Sequence, residues 1–156
     1  MDKIVNIINL SGWAFLLAHV GVSLFLNRES FLSSDISLDV CVLQGIQLFQ
    51  ISDIILILLG MSKGSVFGAF MQILGRNVVS LLFISAESDK LRFATVVIIW
   101  AMADINRYLY YLFKKNPITG FLRYNSFIVL YPIGVYGEML IINDFIKRNA
   151  GSLTDN

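Results

Sequence analysis

Five long apolar stretches account for most of this 156-residue chain and constrain its fold more than any other feature of the sequence. They cover residues 4–26, 40–60, 64–86, 93–113 and 121–142, and a polar tail predicted to fray follows at 144–156. A helix needs about 20 mostly apolar residues to cross the hydrocarbon core of a bilayer. With 15% charged residues and a mean hydropathy of +0.72, the chain has too few polar groups to cover a soluble surface. We therefore predict an all-α, polytopic membrane helix bundle of about five transmembrane helices, in a single integral membrane domain.

Composition also excludes several classes of protein. The single cysteine, Cys41, is too few for an intrachain disulfide or a cysteine-rich zinc site. A net charge of +1, with no basic run longer than Lys114-Lys115, argues against a nucleic-acid partner. The partner is therefore expected to be neither DNA nor RNA.

Each apolar stretch also carries polar or aromatic side chains three, four or seven residues apart, which places them on one face of a helix. In chain order these ridges are Asn6, Asn9 and Trp13; Gln47, Gln50 and Asp53; Gln72 and Arg76; Trp100, Asp104, Arg107 and Tyr111; and Tyr124, Tyr131 and Glu138. Ionisable residues inside a membrane helix are costly and normally face the bundle interior. We predict that the five ridges turn inward and line a polar cleft, while Leu, Ile, Val and Phe meet lipid.

A simpler interpretation of the charges stays open from the sequence. Asp104 can pair with Arg76 or Arg107 purely as a contact between helices, without taking part in chemistry. The tyrosines near the end of the fourth stretch, Tyr108, Tyr110 and Tyr111, are also typical of an aromatic belt at the membrane interface, and the belt is the favoured interpretation for Tyr110.

The fifth stretch has the most unusual sequence, Arg-Tyr-Asn-Ser-Phe-Ile-Val-Leu-Tyr-Pro-Ile-Gly-Val-Tyr-Gly-Glu over 123–138. Tyr131 and Glu138 are seven residues apart, so they share a helix face with an axial rise of about 10 Å. Tyr124 extends the same stripe by another seven residues. Between Tyr131 and Glu138 lie residues that bend a helix or allow close approach to its backbone, namely Pro132, Gly134 and Gly137.

This passage resembles the signature of the membrane 3-hydroxyacyl-CoA dehydratases of very-long-chain fatty acid elongation, also called the protein-tyrosine-phosphatase-like A family. Two upstream motifs are similar to the family's Trp…Glu…Arg-Tyr…Tyr helix and to its Gln…Ser-Arg helix. They are Trp100-x-x-x-Asp104-x-x-Arg107-Tyr108-x-x-Tyr111 and Gln72-x-x-x-Arg76. The resemblance covers about residues 4–145.

The resemblance implies a multi-pass hydro-lyase of the endoplasmic reticulum membrane. It would dehydrate a very-long-chain (3R)-3-hydroxyacyl-CoA to the trans-2-enoyl-CoA, the third step of the elongation cycle. The family's catalytic pair maps onto Tyr131 and Glu138. The expected supporting or substrate-binding residues are Arg76, Arg107, Asp104, Gln72, Tyr124 and Arg123. Besides the acyl-CoA, the implied partners are membrane lipid and other enzymes of the cycle, and no metal or redox cofactor is expected because elimination of water transfers no electrons.

The reaction needs one base at C2 of the substrate and one acid at the departing 3-hydroxyl. We favour Glu138 as the base and Tyr131 as the donor, although their spacing alone also permits the reverse. Arg123 and the Lys114-Lys115 loop are candidates for binding the CoA phosphates, with interfacial anchoring as the alternative.

The sequence departs from the family pattern in four places. Asp53-Ile-Ile-Leu56 stands where the family usually shows Glu-x-x-His, Asp104 replaces a Glu, and Gly75 replaces the Ser before Arg76. Family members usually continue past the Gly-Glu motif into a further helix, so we expect a short member lacking the usual last helix.

The sequence argues against a phosphatase and leaves two other functions open. A phosphatase needs a nucleophilic cysteine in a phosphate-cradling loop, and Cys41 lies in Asp-Val-Cys-Val-Leu, which forms no such loop. A catalytically silent scaffold of the elongation complex and a small polytopic transporter remain alternatives to the enzyme, because inward polar ridges suit them too.

Overall fold

The computed structural model describes residues 2–61, 66–84 and 89–154, and every regular element within them is a helix. In chain order these are α1 (Asp2–Leu26), α2 (Arg28–Ser33), α3 (Ser37–Phe49), α4 (Ile51–Leu58), α5 (Val66–Val78), a π-helical segment (Val79–Phe83), α6 (Lys90–Leu112) and α7 (Pro117–Thr154). The prediction of an all-α bundle is confirmed. The two ends of the third apolar stretch, residues 64–65 and 85–86, lie outside the described residues.

Three helices of the described chain are long and apolar enough to cross a membrane. They are Asp2–Leu26, Ser37–Leu58, in which α3 and α4 run almost continuously, and Pro117–Ala150. The 23-residue α6 is as long but less apolar, because it carries Asp104 and Arg107 along its length. The third predicted span appears as a shorter apolar helix over Gln72–Phe83. That all five stretches cross the bilayer therefore stays a prediction.

The second predicted span is interrupted at Gln50, between α3 and α4. At this point Asp53 N–H donates to the Gln50 carbonyl at 2.9 Å. This bond joins residues three apart, as in a 3₁₀-helix, rather than four apart, so the backbone is locally tighter than an α-helix. Gln50 itself is 1% exposed. The break therefore lies inside the bundle, beside the buried polar residues described below.

The last helix is longer than predicted at both ends. It begins at Pro117, where Asn116 Oδ1 accepts a hydrogen bond from Ile118 N–H at 2.9 Å, and it continues through Pro132. Residues from 144 onward, predicted as a frayed polar tail, are helical up to Thr154. Asp144 supports this extension, because it lies 3.2 Å from Arg148 one turn further on and 3.0 Å from Arg92 of α6.

The core is built around α6, which packs along α1 on one side and along α7 on the other. α3 packs against α1, and α5 with the π-helical segment packs against α3. The largest fully buried side chains are Trp13, Trp100, Tyr108 and Phe93. Three of these four belong to α6, so the central helix supplies much of the core.

Two glycines of α7 set how closely it approaches α6. A Cβ on Gly137 would lie 2.8 Å from Val96 Cγ2, closer than real side chains allow, and one on Gly134 would lie 3.4 Å from Ile99 Cγ2. Small residues at such positions let two membrane helices pack backbone against side chain. Gly134 and Gly137 thus mark the side of α7 that faces α6.

Candidate active site

Four of the five predicted polar ridges face the bundle interior. Most of their members are nearly inaccessible, with Asn9, Gln47, Gln50, Trp100 and Asp104 all between 0% and 1% exposed. The side chains of Arg76, Asp53 and Arg107 are between 11% and 13% exposed. The prediction of inward ridges is therefore confirmed for the helices before α7.

A buried cluster forms around Asp53 of α4 and Tyr108 of α6. The Tyr108 hydroxyl donates to Asp53 Oδ2 at 2.6 Å, and Arg107 donates to that hydroxyl at 2.7 Å. Gln50 Nε2 donates to the same hydroxyl at 3.2 Å, and Asn9 Nδ2 of α1 reaches Asp53 Oδ1 at 3.5 Å. This cluster joins three helices, and it places Tyr108 in the core rather than in an interfacial belt.

Asp104 is shared by two arginines. It forms an ion pair with Arg76 of α5, and its Oδ1 lies 3.0 Å from an Arg107 guanidinium nitrogen one turn along α6. Arg107 also lies 3.4 Å from Asp53, which links this pair to the Tyr108 cluster. The pairing left open by the sequence is thus present on both sides of Asp104, between helices with Arg76 and within α6 with Arg107.

The network reaches α7 through Trp100. The Arg76 guanidinium carbon lies 5.4 Å from the centre of the Trp100 ring, a cation–π distance. The Nε1–H at the edge of the same indole donates to Glu138 Oε1 at 2.8 Å. Glu138, half-buried, is therefore the α7 member of a continuous set of contacts that begins at Asn9.

Tyr131 and Tyr124 do not share this position, which corrects the expectation that the fifth ridge also turns inward. Their side chains are 58% and 64% exposed. A stripe of residues seven apart drifts by about 20° around an ideal helix at each step. Glu138 lies at the edge of the contact with α6. Each step of seven residues back along the chain, first to Tyr131 and then to Tyr124, therefore carries the stripe further onto the open side of α7.

The ring of Tyr131 is still held in place. It stacks on Phe127, one turn earlier, with ring centres 4.9 Å apart and planes inclined by 28°. The phenol therefore stands on the open flank of α7, on the same stripe as Glu138 and about 10 Å from it along the axis.

Arg123 lies nearer the start of α7, surrounded by tyrosines. Its guanidinium carbon is 4.7 Å from the ring centre of Tyr110, 4.8 Å from that of Tyr111 and 5.9 Å from that of Tyr124. Nη2 of the guanidinium also donates to the Tyr111 hydroxyl at 3.5 Å, while Nη1 is buried without a hydrogen-bond partner among the described residues. Lys114 and Lys115 follow α6 at the same end of the helix pair, and both are exposed.

Sequence reasoning missed the part that Tyr108 plays, and it gave Gln50 and Asn9 no site role. Tyr108 is four residues after Asp104, so the helical spacing alone would have placed it beside that carboxylate. Gln72, an expected supporting residue, is half-buried one turn before Arg76 on α5, and the described hydrogen bonds do not include it in the network.

Replacing Asp104 with asparagine is expected to destabilise the protein by about 3–5 kcal/mol, because Arg76 and Arg107 would keep their charges inside the bundle without the shared carboxylate. The measurement is thermal unfolding in detergent.

Asp144→Asn is the matched control, since Asp144 also contacts two arginines, Arg92 and Arg148, but is 33% exposed. We expect it to cost less than about 1 kcal/mol. Equal losses of stability for the two variants would show that the buried network does not hold the helices together.

Comparison with known proteins places this chain among relatives of one kind. The family described as "Protein tyrosine phosphatase-like protein, PTPLA" matches residues 47–152. A "Very-long-chain (3R)-3-hydroxyacyl-CoA dehydratase" of Danio rerio is 26% identical over 145 residues, covering 88% of this chain and 40% of that protein. "Very-long-chain (3R)-3-hydroxyacyl-CoA dehydratase 2" of Homo sapiens is 31% identical over 153 residues, covering 89% of this chain and 57% of that protein.

A shorter alignment has a higher sequence identity. The "Probable very-long-chain (3R)-3-hydroxyacyl-CoA dehydratase" of Schizosaccharomyces pombe is 41% identical over 54 residues, 32% of this chain and 26% of that protein. The alignments thus cover between 26% and 57% of the length of these three relatives. No solved structure matches the chain.

Proposed function

Because the chain belongs to the protein tyrosine phosphatase-like (PTPLA) family, we propose that it dehydrates a very-long-chain (3R)-3-hydroxyacyl-CoA to the trans-2-enoyl-CoA. The structural observation that best supports this is the position of Glu138. Its carboxylate lies at the edge of the α6–α7 contact, half-buried and held by Trp100 at 2.8 Å. A carboxylate held in this way is suited to general base catalysis beside a lipid substrate.

In the proposed reaction Glu138 takes the proton from C2 of the thioester. The electrons of that C–H bond form the C2–C3 double bond, the C3–O bond breaks, and the departing oxygen takes a proton from the Tyr131 hydroxyl to leave as water. Proton return from the carboxyl group to the phenolate restores both residues. Tyr131 and Glu138 would thus contact the same substrate from one stripe of α7.

The exposure of Tyr131 fits a substrate that arrives from the lipid. A very long acyl chain is already dissolved in the bilayer, so it can lie along the open flank of α7 without first entering an enclosed cavity. Phe127, stacked on Tyr131 at 4.9 Å, would add apolar contact area there. Tyr124, on the same flank, would extend the surface along the substrate.

The CoA end of the substrate needs a cationic site near the membrane surface. We assign it to Arg123 with Lys114 and Lys115. Arg123 supplies a fixed positive charge, held by the surrounding tyrosines with Nη2 donating to the Tyr111 hydroxyl at 3.5 Å, and the exposed Lys114 and Lys115 supply N–H donors for phosphate oxygens. Glu138 lies fifteen residues further along α7, a rise of about 22 Å, which the flexible arm of CoA would have to span.

Arg76, Arg107 and Asp104 are assigned a supporting role. Because the two arginines already share Asp104, they are proposed to fix the arrangement of α5, α6 and Trp100 rather than to bind substrate. Gln72 is proposed to support Arg76 from the preceding turn. We also propose an endoplasmic reticulum location and association with other enzymes of the elongation cycle, following the resemblance.

The test is direct. Protein purified in detergent or reconstituted in liposomes, when given a very-long-chain (3R)-3-hydroxyacyl-CoA, should release the trans-2-enoyl-CoA, measured by mass spectrometry against the (3S) substrate as control. Absence of product from folded wild-type protein would overturn the proposal and favour a silent scaffold or a transporter.

A further inference from the structure

Trp100 occupies a place between the buried ion pairs and Glu138 that the reaction as proposed above does not use. It is 1% exposed, and its one polar atom, Nε1, donates to Glu138 Oε1 at 2.8 Å. A hydrogen bond from a buried indole to a carboxylate fixes that carboxylate in one orientation, because the indole ring has few rotamers of its own.

The position of the indole is set by the network behind it. Asp104 holds Arg76 by an ion pair, and the Arg76 guanidinium lies 5.4 Å from the centre of the Trp100 ring. Trp100 and Asp104 are four residues apart on α6, so they lie on the same face one turn apart. Asp104 is therefore connected to Glu138 by a chain of contacts through two side chains, Arg76 and Trp100.

The approach of α7 brings Glu138 within reach. Gly137, the residue before Glu138, packs so closely on Val96 that a Cβ there would lie 2.8 Å from Val96 Cγ2. Val96 is one turn before Trp100 on α6. The hydrogen bond is thus fixed from both sides, by the glycine contact on α7 and by the arginine on the indole.

We propose that Trp100 is a positioning residue, one that holds Oε1 of Glu138 and thereby presents Oε2 to C2 of the substrate. This inference rests on the proposed dehydratase function. Its effect belongs to the chemical step, since the indole contacts the base rather than the acyl chain or the CoA.

The chain offers a matched control in its other tryptophan. Trp13 is 0% exposed, and its Nε1 has no hydrogen-bond partner among the described residues. Trp100→Phe keeps an aromatic ring and removes the donor, and it should lower kcat by about 10- to 100-fold with KM changed less than about threefold. Trp13→Phe makes the same change of side chain and should leave kcat within about threefold.

A second measurement does not depend on activity. The two indole N–H resonances, assigned in detergent with Trp13→Phe and Trp100→Phe, are compared between wild type and Glu138→Ala. The Trp100 resonance should shift when its acceptor is removed, while the Trp13 resonance should stay in place.

The outcomes separate this inference from the proposed function. An inactive wild type would overturn the proposed function and the positioning role with it. If the wild type is active, two results would overturn the inference while leaving the proposed function in place. One is a Trp100→Phe variant that turns over substrate as fast as Trp13→Phe, and the other is a Trp100 resonance that does not shift in Glu138→Ala.

Discussion

Glu138→Gln is expected to lower turnover of a very-long-chain (3R)-3-hydroxyacyl-CoA by about 10²- to 10⁴-fold. The amide has nearly the shape of the carboxylate, and its carbonyl oxygen can still accept the hydrogen bond that Trp100 donates at 2.8 Å. It cannot take a proton from C2 of the substrate. The variant therefore removes the proposed base while keeping the contact that positions it.

The control for this change is Glu29→Gln. Glu29 lies exposed on α2, and the substitution makes the same loss of charge on a helix that takes no part in the hydrogen bond between Trp100 and Glu138. Its turnover should stay within about twofold of wild type, as expected for a surface substitution. Product formation is measured by mass spectrometry, with thermal unfolding recorded for each protein. Wild-type turnover by a folded Glu138→Gln protein would refute the assignment of Glu138 as the base.

Helical spacing was enough to predict the inward polar faces of α1, α3 to α4, α5 and α6. The reason is physical, since a residue such as Asp104 or Gln47 is costly against lipid and can face only the bundle interior. Both are 0% exposed. The sequence left open a pairing of Asp104 with Arg76 or Arg107, and Asp104 pairs with both.

Which side chains meet between two helices could not be predicted from helical spacing. That Trp100 donates to Glu138 depends on how closely α7 approaches α6, which the Gly137 contact with Val96 sets. The break at Gln50 likewise follows from a change of backbone step that apolar periodicity does not reveal. The belt stayed open as an interpretation of Tyr108 because helical spacing does not show that the Asp53 carboxylate of α4 lies opposite its hydroxyl.

The exposed position of Tyr131 has a related cause. Sequence spacing places Tyr131 and Glu138 on one stripe of α7, but it does not show which side of that stripe the neighbouring helix covers. In the described structure α7 packs mainly on α6, with the π-helical segment as a second neighbour. Glu138 therefore lies at the edge of the contact, and Tyr131 lies beyond it, 58% exposed.

Tyr131→Phe is expected to lower turnover by about 10²- to 10⁴-fold, because it removes the proton donor proposed to act at the departing oxygen. The substitution should have little effect on folding. The ring keeps its stacking on Phe127 at 4.9 Å, and the hydroxyl that is lost belongs to a side chain 58% exposed. Thermal unfolding in detergent should therefore match wild type, so that a loss of rate can be attributed to chemistry.

Tyr136→Phe is the matched control for this variant. Tyr136 is 64% exposed on the same helix, but it lies five residues from Tyr131, about 140° around the axis and off the stripe that carries Glu138. Removing its hydroxyl should leave turnover within about twofold of wild type. If the Tyr131→Phe and Tyr136→Phe variants turned over the substrate at the same rate, the phenol of Tyr131 would not be the proton donor. The leaving oxygen would then have to take its proton from another group, and the catalytic pair inferred from the family resemblance would be wrong for this chain.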